Sequence, residues 1–317
     1  MNKTYREALI DPSISFNKII EGQSIPEYLY KYQSFYSKDM KENKYWKENI
    51  RGAFHLSLGS EFEDVNDCKP YMDKEEICKI IEDFFQNCNQ NSVTEEQLKT
   101  IHTSLCGVLT QEYFDGVISN HQNEIRIGCF TILSDNVTMW EKYANNETGF
   151  CLQYSTKRNN LFMNSTLPVL YSEKPYNSSL LLANQIILES CRKAKKRSQK
   201  EQLEIYRPIY EKILKTAYIH VFIKEKIKWE FEQEYRMFLL KNRNTQTGML
   251  RAEEILDKNS NIDLANAITA VYLGEKFDEN INHDVIKKEI IHIAKEMKIR
   301  VFQKRCIDGI YTNENII

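Results

Sequence analysis

Apolar and polar positions alternate with period two in several short stretches of this chain, and with period three to four in others. Residues 52–58 (GAFHLSL) place Phe54, Leu56 and Leu58 on one side, which predicts a half-buried strand ended by Gly59. Aromatic-rich 27–36 and apolar 124–133, 149–154, 169–171, 234–240, 268–273 and 300–303 predict further strands, the last of them closing the chain. Ile77, Ile80, Ile81, Phe84 and Cys88 recur at helical spacing and predict a helix over 73–88. Thr94 and Gln97 fit a capping box that opens the next helix. Residues 38–50 and 136–143 predict short helices. Residues 178–224 predict a long helical stretch interrupted at Pro208, and Asp284 predicts the cap of a helix bearing Ile286, Ile290, Ile293 and Met297.

Strands spread from end to end, with helical blocks between them, predict an α+β protein. The expected organisation is an N-terminal extension, residues 1–27, and a single α+β domain, residues 28–317. That domain would have one mixed or antiparallel β core, with helical insertions at about 73–122 and 178–224.

Composition narrows the function classes. A net charge of −2 in 317 residues gives no global attraction to nucleic acid or an anionic membrane. The N-terminus has no apolar leader core, and no run approaches the roughly 20 apolar residues of a membrane span, so a soluble, cytoplasmic protein is expected. Eight cysteines without a CxxC pair read as reduced, buried thiols and not as a zinc ribbon. The six histidines show no ligand spacing, so no metal is expected. No GxGxxG, P-loop, HExxH or GxSxG motif occurs, which disfavours a dinucleotide fold and the commonest hydrolase sites.

Two segments stand out. Trp140 and Tyr143 lie three apart, followed by a polar turn and Gly149, so they form either a packed corner or a stacking wall for a planar ring. In 228–236, read as a strand, Glu230, Glu232, Glu234 and Arg236 share one face. That face is either solvated or a polar site in which Arg236 holds a carboxylate.

These residues match a family pattern. Leu29-Tyr30-Lys31-Tyr32, the strand at 54–57 with Asn66-Asp67 after it, Cys129-Phe130, Met139-Trp140, Tyr143, Gly149-Phe150-Cys151, Lys224, Trp229, Glu232 and Glu234-Tyr235-Arg236 together resemble the bacterial domain-of-unknown-function family 2971, over about residues 28–275. The family's Asn-Asp-Pro-Phe loop departs here, where 62–68 reads FEDVNDC without a proline. The resemblance supplies no activity of its own. Its layout looks like that of compact NAD-consuming ADP-ribosyltransferases. That likeness implies Lys31 or Tyr32, Ser57, and Glu232 or Glu234 as the three key positions, with Tyr143 or Tyr32 stacked on nicotinamide. Trp140 and Arg236 join the expected binding residues. NAD would be a substrate, no cofactor is implied, and the setting would be bacterial defence or a toxin.

Two other classes compete. A nucleic-acid-binding protein would use the basic run from Arg192 to Lys200, and a metal-dependent nuclease would gather Glu232, Glu234 and Asp67 around Mg²⁺. A non-catalytic ligand-sensing or interaction module is the third. No feature of the pattern sets an oligomeric state.

Overall fold

A computed structural model describes residues 4–11, 14, 16–36, 41–64, 66–88, 94–193, 218–240, 255–307 and 310–317. In chain order the elements are α1 (Tyr5–Ile10), α2 (Phe16–Glu21), β1 (Tyr28–Gln33), α3 (Trp46–Ile50), β2 (Ala53–His55), β3 (Ser57–Leu58), α4 (Lys74–Cys88), α5 (Glu95–Val108) and α6 (Gln111–Glu124). There follow β4 (Ile125–Thr131), α7 (Val137–Tyr143), β5 (Phe150–Ser155), α8 (Asn160–Ser165), β6 (Thr166–Pro168), β7 (Leu170–Ser172) and α9 (Ser179–Lys193). The chain then gives β8 (Ile223–Glu225), α10 (Lys226–Trp229), β9 (Glu234–Leu240), β10 (Asn261–Asp263), β11 (Ile268–Leu273), α11 (His283–Met297), β12 (Arg300–Ile307) and β13 (Ile310–Asn315).

The protein is α+β. Among the described residues nine strands form one mixed sheet in the order β13-β12-β11-β5-β1-β4-β9-β6, with β3 added at β4. Of its described pairs, β11–β12 is parallel and the others are antiparallel. One face is covered by α11, whose Ile286, Ile290, Ile293 and Ala294 are buried with Leu152, Val271, Phe150 and Phe277. The spacing of three and four brings these side chains onto one stripe. A separate helical cluster joins Ile77, Cys78 and Ile81 of α4 to Leu182, Ala183 and Ile187 of α9. Leu9 and Ile19, from the first 27 residues, are buried against strand residues Ile127 and Phe238.

The central sheet opens at one place, and this shapes the site. Strand β4 pairs along one edge with all seven residues of β9. Along its other edge it meets β1 only at Thr131, opposite Tyr30, and then β3 at Ile127 and Arg126, opposite Ser57 and Leu58. Between these points β1 and β3 diverge like the prongs of a fork. Phe54 fills the base of the fork and stacks on Phe130, centroids 4.5 Å apart. Gly128 permits this, because a Cβ there would lie 2.4 Å from Phe54 Cε1 and 2.6 Å from Leu56 Cδ2.

Several expectations need correction. Residues 52–58 form two strands, because β2 pairs with β10 while β3 joins the main sheet. The helix expected to reach 224 gives way to β8, which pairs in parallel with β7; tertiary pairing overrides local pattern here. Pro208 lies outside the described residues. Asp284 is not the cap of α11: Asn282, at φ 63°, is the N-cap and makes no side-chain capping bond. Asp284 sits in the first turn, where it favours the positive end of the helix. The chain does not close at 303; β12 runs to Ile307 and β13 follows it. The Thr94–Gln97 capping box and the bounds of β9 and β11 are as expected.

Candidate functional site

The stretch 228–236 is not one strand. Helix α10 ends at Trp229, a 3-10 turn spans Glu230–Glu232, and Gln233 takes the left-handed conformation at φ 41° before β9 begins. This breaks the expected alternation. Glu230 points to solvent, whereas Glu232, Glu234 and Arg236 are buried.

Arg236 is fully buried and saturated with acceptors. Its Nε donates to Glu234 Oε1 at 2.7 Å and its Nη2 to Glu234 Oε2 at 3.1 Å. Nη1 donates to Asp67 Oδ1 at 2.8 Å and to the Val221 carbonyl at 2.6 Å, and Nη2 donates to Asp67 Oδ2 at 2.7 Å. Two carboxylates in bidentate contact match the planar guanidinium fork. Lys224 Nζ lies 2.7 Å from Glu232, 3.1 Å from Glu234 and 3.4 Å from Asp67. The Tyr143 hydroxyl donates to the other oxygen of Glu232.

Electrostatics follow from this packing. Burial pushes Asp67 and Glu234 up, but the Arg236 guanidinium and the Lys224 ammonium outweigh it and hold both below the usual carboxylate range. Burial pushes Lys224 down, but Glu234, Asp67 and Glu232 more than offset this and raise it. Burial, then Glu232, pushes the Tyr143 phenol up, so it stays protonated and donates. The cluster holds three carboxylates against two cations, Lys224 and Arg236.

A cavity of about 270 Å³ opens on this cluster; Lys31, Tyr32, Ser57, Tyr143, Glu232 and Glu234 line it, with Trp229 and Thr131. The prongs of the fork supply Lys31 and Tyr32 on one side and Ser57 on the other. Helix α7 supplies Tyr143. A second cavity, of about 550 Å³, shares Asp64, Asp67 and Lys224 with the first.

The remaining expected residues stand elsewhere. Trp140 does not line the cavity. It is fully buried, packs edge-on against Tyr32 at 4.9 Å, and its Nε1 donates to the Ser134 carbonyl. Arg236 lies behind Glu234 as its support. Tyr32 is nearly buried and its hydroxyl donates to the Leu133 carbonyl, so little of its ring is free for stacking. Gly149 has no positive φ; its role is close approach, since a Cβ would lie 2.2 Å from the Gln33 carbonyl oxygen. The side chains of the basic run from Arg192 to Lys200 lie outside the described residues.

Lys224 and Trp229, named in the sequence only as part of the family pattern, also belong to the site. Trp229 Nε1 donates to Asp64 at 2.7 Å, and Lys142 and Lys224 lie 3.6 and 4.4 Å from its ring centroid. A lysine eight residues before a glutamate carries no helical or strand signal, so only the fold brings the two together. The nuclease arrangement loses its support: Lys224 Nζ occupies the space between Glu232, Glu234 and Asp67 where a Mg²⁺ would sit.

No curated protein and no solved structure matches this chain. The family model described as "Protein of unknown function (DUF2971)" matches residues 139–237. The chain thus carries the pattern of the family anticipated from its sequence, over a segment that runs from Met139 in α7 to Met237 in β9 and takes in Tyr143, Lys224, Trp229, Glu232, Glu234 and Arg236.

Proposed function

We propose that the fork cleft binds the ribosyl-nicotinamide end of NAD and cleaves its glycosidic bond, with Glu232 as the working carboxylate. The observation that carries this reading is the position of Glu232, on the cavity wall and held ready by Lys224 and Tyr143. Glu234 is clamped by Arg236 on both oxygens and serves as support.

In the step, the bond between the ribose anomeric carbon and the nicotinamide nitrogen breaks, and its electron pair leaves with nicotinamide. The oxocarbenium ion left on the sugar meets the negative field of Glu232, which also accepts a hydrogen bond from a ribose hydroxyl. Water or an acceptor nucleophile then attacks the anomeric carbon and gives up its proton to solvent. Tyr143 offers a ring for the nicotinamide, and Ser57 a hydroxyl at the opposite prong. Lys31 suits a phosphate at the rim. The cavity lies at the small end of small-molecule sites, roughly 300 Å³ upward. It suits one end of the dinucleotide, and the larger neighbouring cavity has room for the remainder.

The test is to incubate the full chain with NAD and follow nicotinamide release, with lysate protein, RNA and DNA supplied in turn as acceptors. Release above the blank supports the reading. NAD binding without release favours a ligand-sensing module built on the same cleft. Absence of both binding and release sinks the proposal.

A further inference from the structure

Away from the cleft, helices α4 and α5 bring together four residues that the function above does not use. Cys78 and Glu82 lie four apart on α4, and His102 and Cys106 lie four apart on α5. Residues four apart share a helix face. The pairs run in opposite senses, so Glu82 faces His102 and Cys78 faces Cys106. His102 Nδ1 lies 2.7 Å from Glu82 Oε1, which leaves Nε2 aimed at Cys106 Sγ, 3.5 Å away. The ligand atoms of Cys78, His102 and Cys106 all lie within 4.8 Å of one another.

We propose that Cys78, His102 and Cys106 bind a divalent zinc ion, with Glu82 as the carboxylate that orients the imidazole. A tetrahedral zinc with ordinary Zn–N and Zn–S lengths of about 2.0 and 2.3 Å holds its nitrogen and sulfur ligands about 3.5 Å apart. That is the separation found between His102 and Cys106. Two thiolates and an imidazole select zinc over magnesium or calcium. A ligating histidine almost always gives its other N–H to a carboxylate, carbonyl or water, which is the place of Glu82. Cys78 is buried, whereas His102 and Cys106 are half-buried, so the fourth position opens toward solvent and takes a water. Lys74 Nζ also reaches the Cys106 carbonyl at 2.9 Å and helps to fix the two helices in register. A thiol nucleophile activated by His102 would use only three of these four side chains and leave Cys78 without a role. Sequence motifs miss the site because each helix contributes its pair at a spacing of four, with neither CxxC nor paired histidines.

The test uses the untagged full chain, reduced, loaded with zinc and dialysed, with metal measured by mass spectrometry. About one zinc per chain is expected, falling to background in Cys106→Ser and His102→Ala. Glu82→Gln should keep the site but weaken it about 10- to 100-fold in competition with a chromophoric chelator. Cobalt loading should give thiolate charge-transfer bands and the intense visible bands of a tetrahedral ion. Because Cys78 is buried, its serine variant is compared only if its circular dichroism matches wild type. A variant-free reading comes from alkylation of the wild-type thiols, which zinc should slow at both Cys78 and Cys106. Background zinc in the reduced wild type, or rapid alkylation of Cys106 unaffected by zinc, would overturn the assignment.

Discussion

Arg236 and Asp67 lie 169 residues apart in the chain and meet through two parallel hydrogen bonds of 2.8 and 2.7 Å, in a place that solvent barely reaches. This contact ties the loop before α4 to the middle of β9. Asp67 and Glu234 both pair with the Arg236 charge, and Lys224 shares the two carboxylates.

Breaking one side of a buried ion pair leaves the other side uncompensated. Asp67→Ala and Arg236→Met should each lower unfolding free energy by roughly 3–5 kcal/mol in denaturant titrations. The double variant should lose clearly less than the two single losses added together. Strict additivity would show that the two side chains do not depend on each other.

The same cluster sets an acid limit. Asp67 and Glu234 have depressed folded values, so the unfolded chain takes up protons first, near about pH 4, while the native carboxylates stay ionised. Their contribution is present above the unfolded values and is lost as pH falls toward the folded ones. His220 acts earlier. Burial, then His121 and Arg236, pushes it from 6.5 down to about 3, and its ring nitrogens have no hydrogen-bond partner among the described residues. Between those values the unfolded chain binds a proton that the native chain refuses, so stability falls as pH drops below about 6.5. His220→Phe should flatten urea midpoints between about pH 7 and pH 5 relative to wild type. Parallel curves for the two proteins would rule His220 out as the cause.

Trp140 and Tyr143 should separate cleanly although they share one helix. Trp140 is core, so Trp140→Ala should cost roughly 3–5 kcal/mol. Tyr143→Phe removes only the hydroxyl that donates to the Glu232 carboxylate, and should cost about 1.5–3 kcal/mol. If Tyr143→Phe proved the more destabilising, the division between core and cleft would be wrong.

Gly128 keeps the fork open. Gly128→Ala would drive a methyl into Phe54, with an expected loss of about 1–3 kcal/mol by thermal unfolding. An unchanged midpoint would mean that Phe54 and Leu56 are free to move.

Much of this fold is legible where the local pattern and the tertiary demand agree. The Ile77–Phe84 spacing, the Thr94–Gln97 box and the run at 234–240 all read directly into α4, α5 and β9. What is not legible depends on partners distant in the chain. The polar strand β13 exists because β12 offers it an edge, and β8 forms because β7 lies beside it. The two aromatics of α7 are readable as a pair, but which one faces the core is set by Tyr32 and Ser134. In 228–236 the identities of the charged residues are informative, whereas the left-handed turn at Gln233 is not a residue-level signal. Lys224 acquires its place only when Asp67 folds over β9.

In the proposed reaction Glu232 carries the chemistry and Glu234 supports it. The most direct test measures nicotinamide release from NAD by wild type, Glu232→Gln and Glu234→Gln, alongside their unfolding midpoints. Glu232→Gln should lose about 10²–10³ of the rate, as for removal of one electrostatic stabiliser, at a smaller cost in stability than Glu234→Gln. A Glu232→Gln protein as active as wild type would contradict the account.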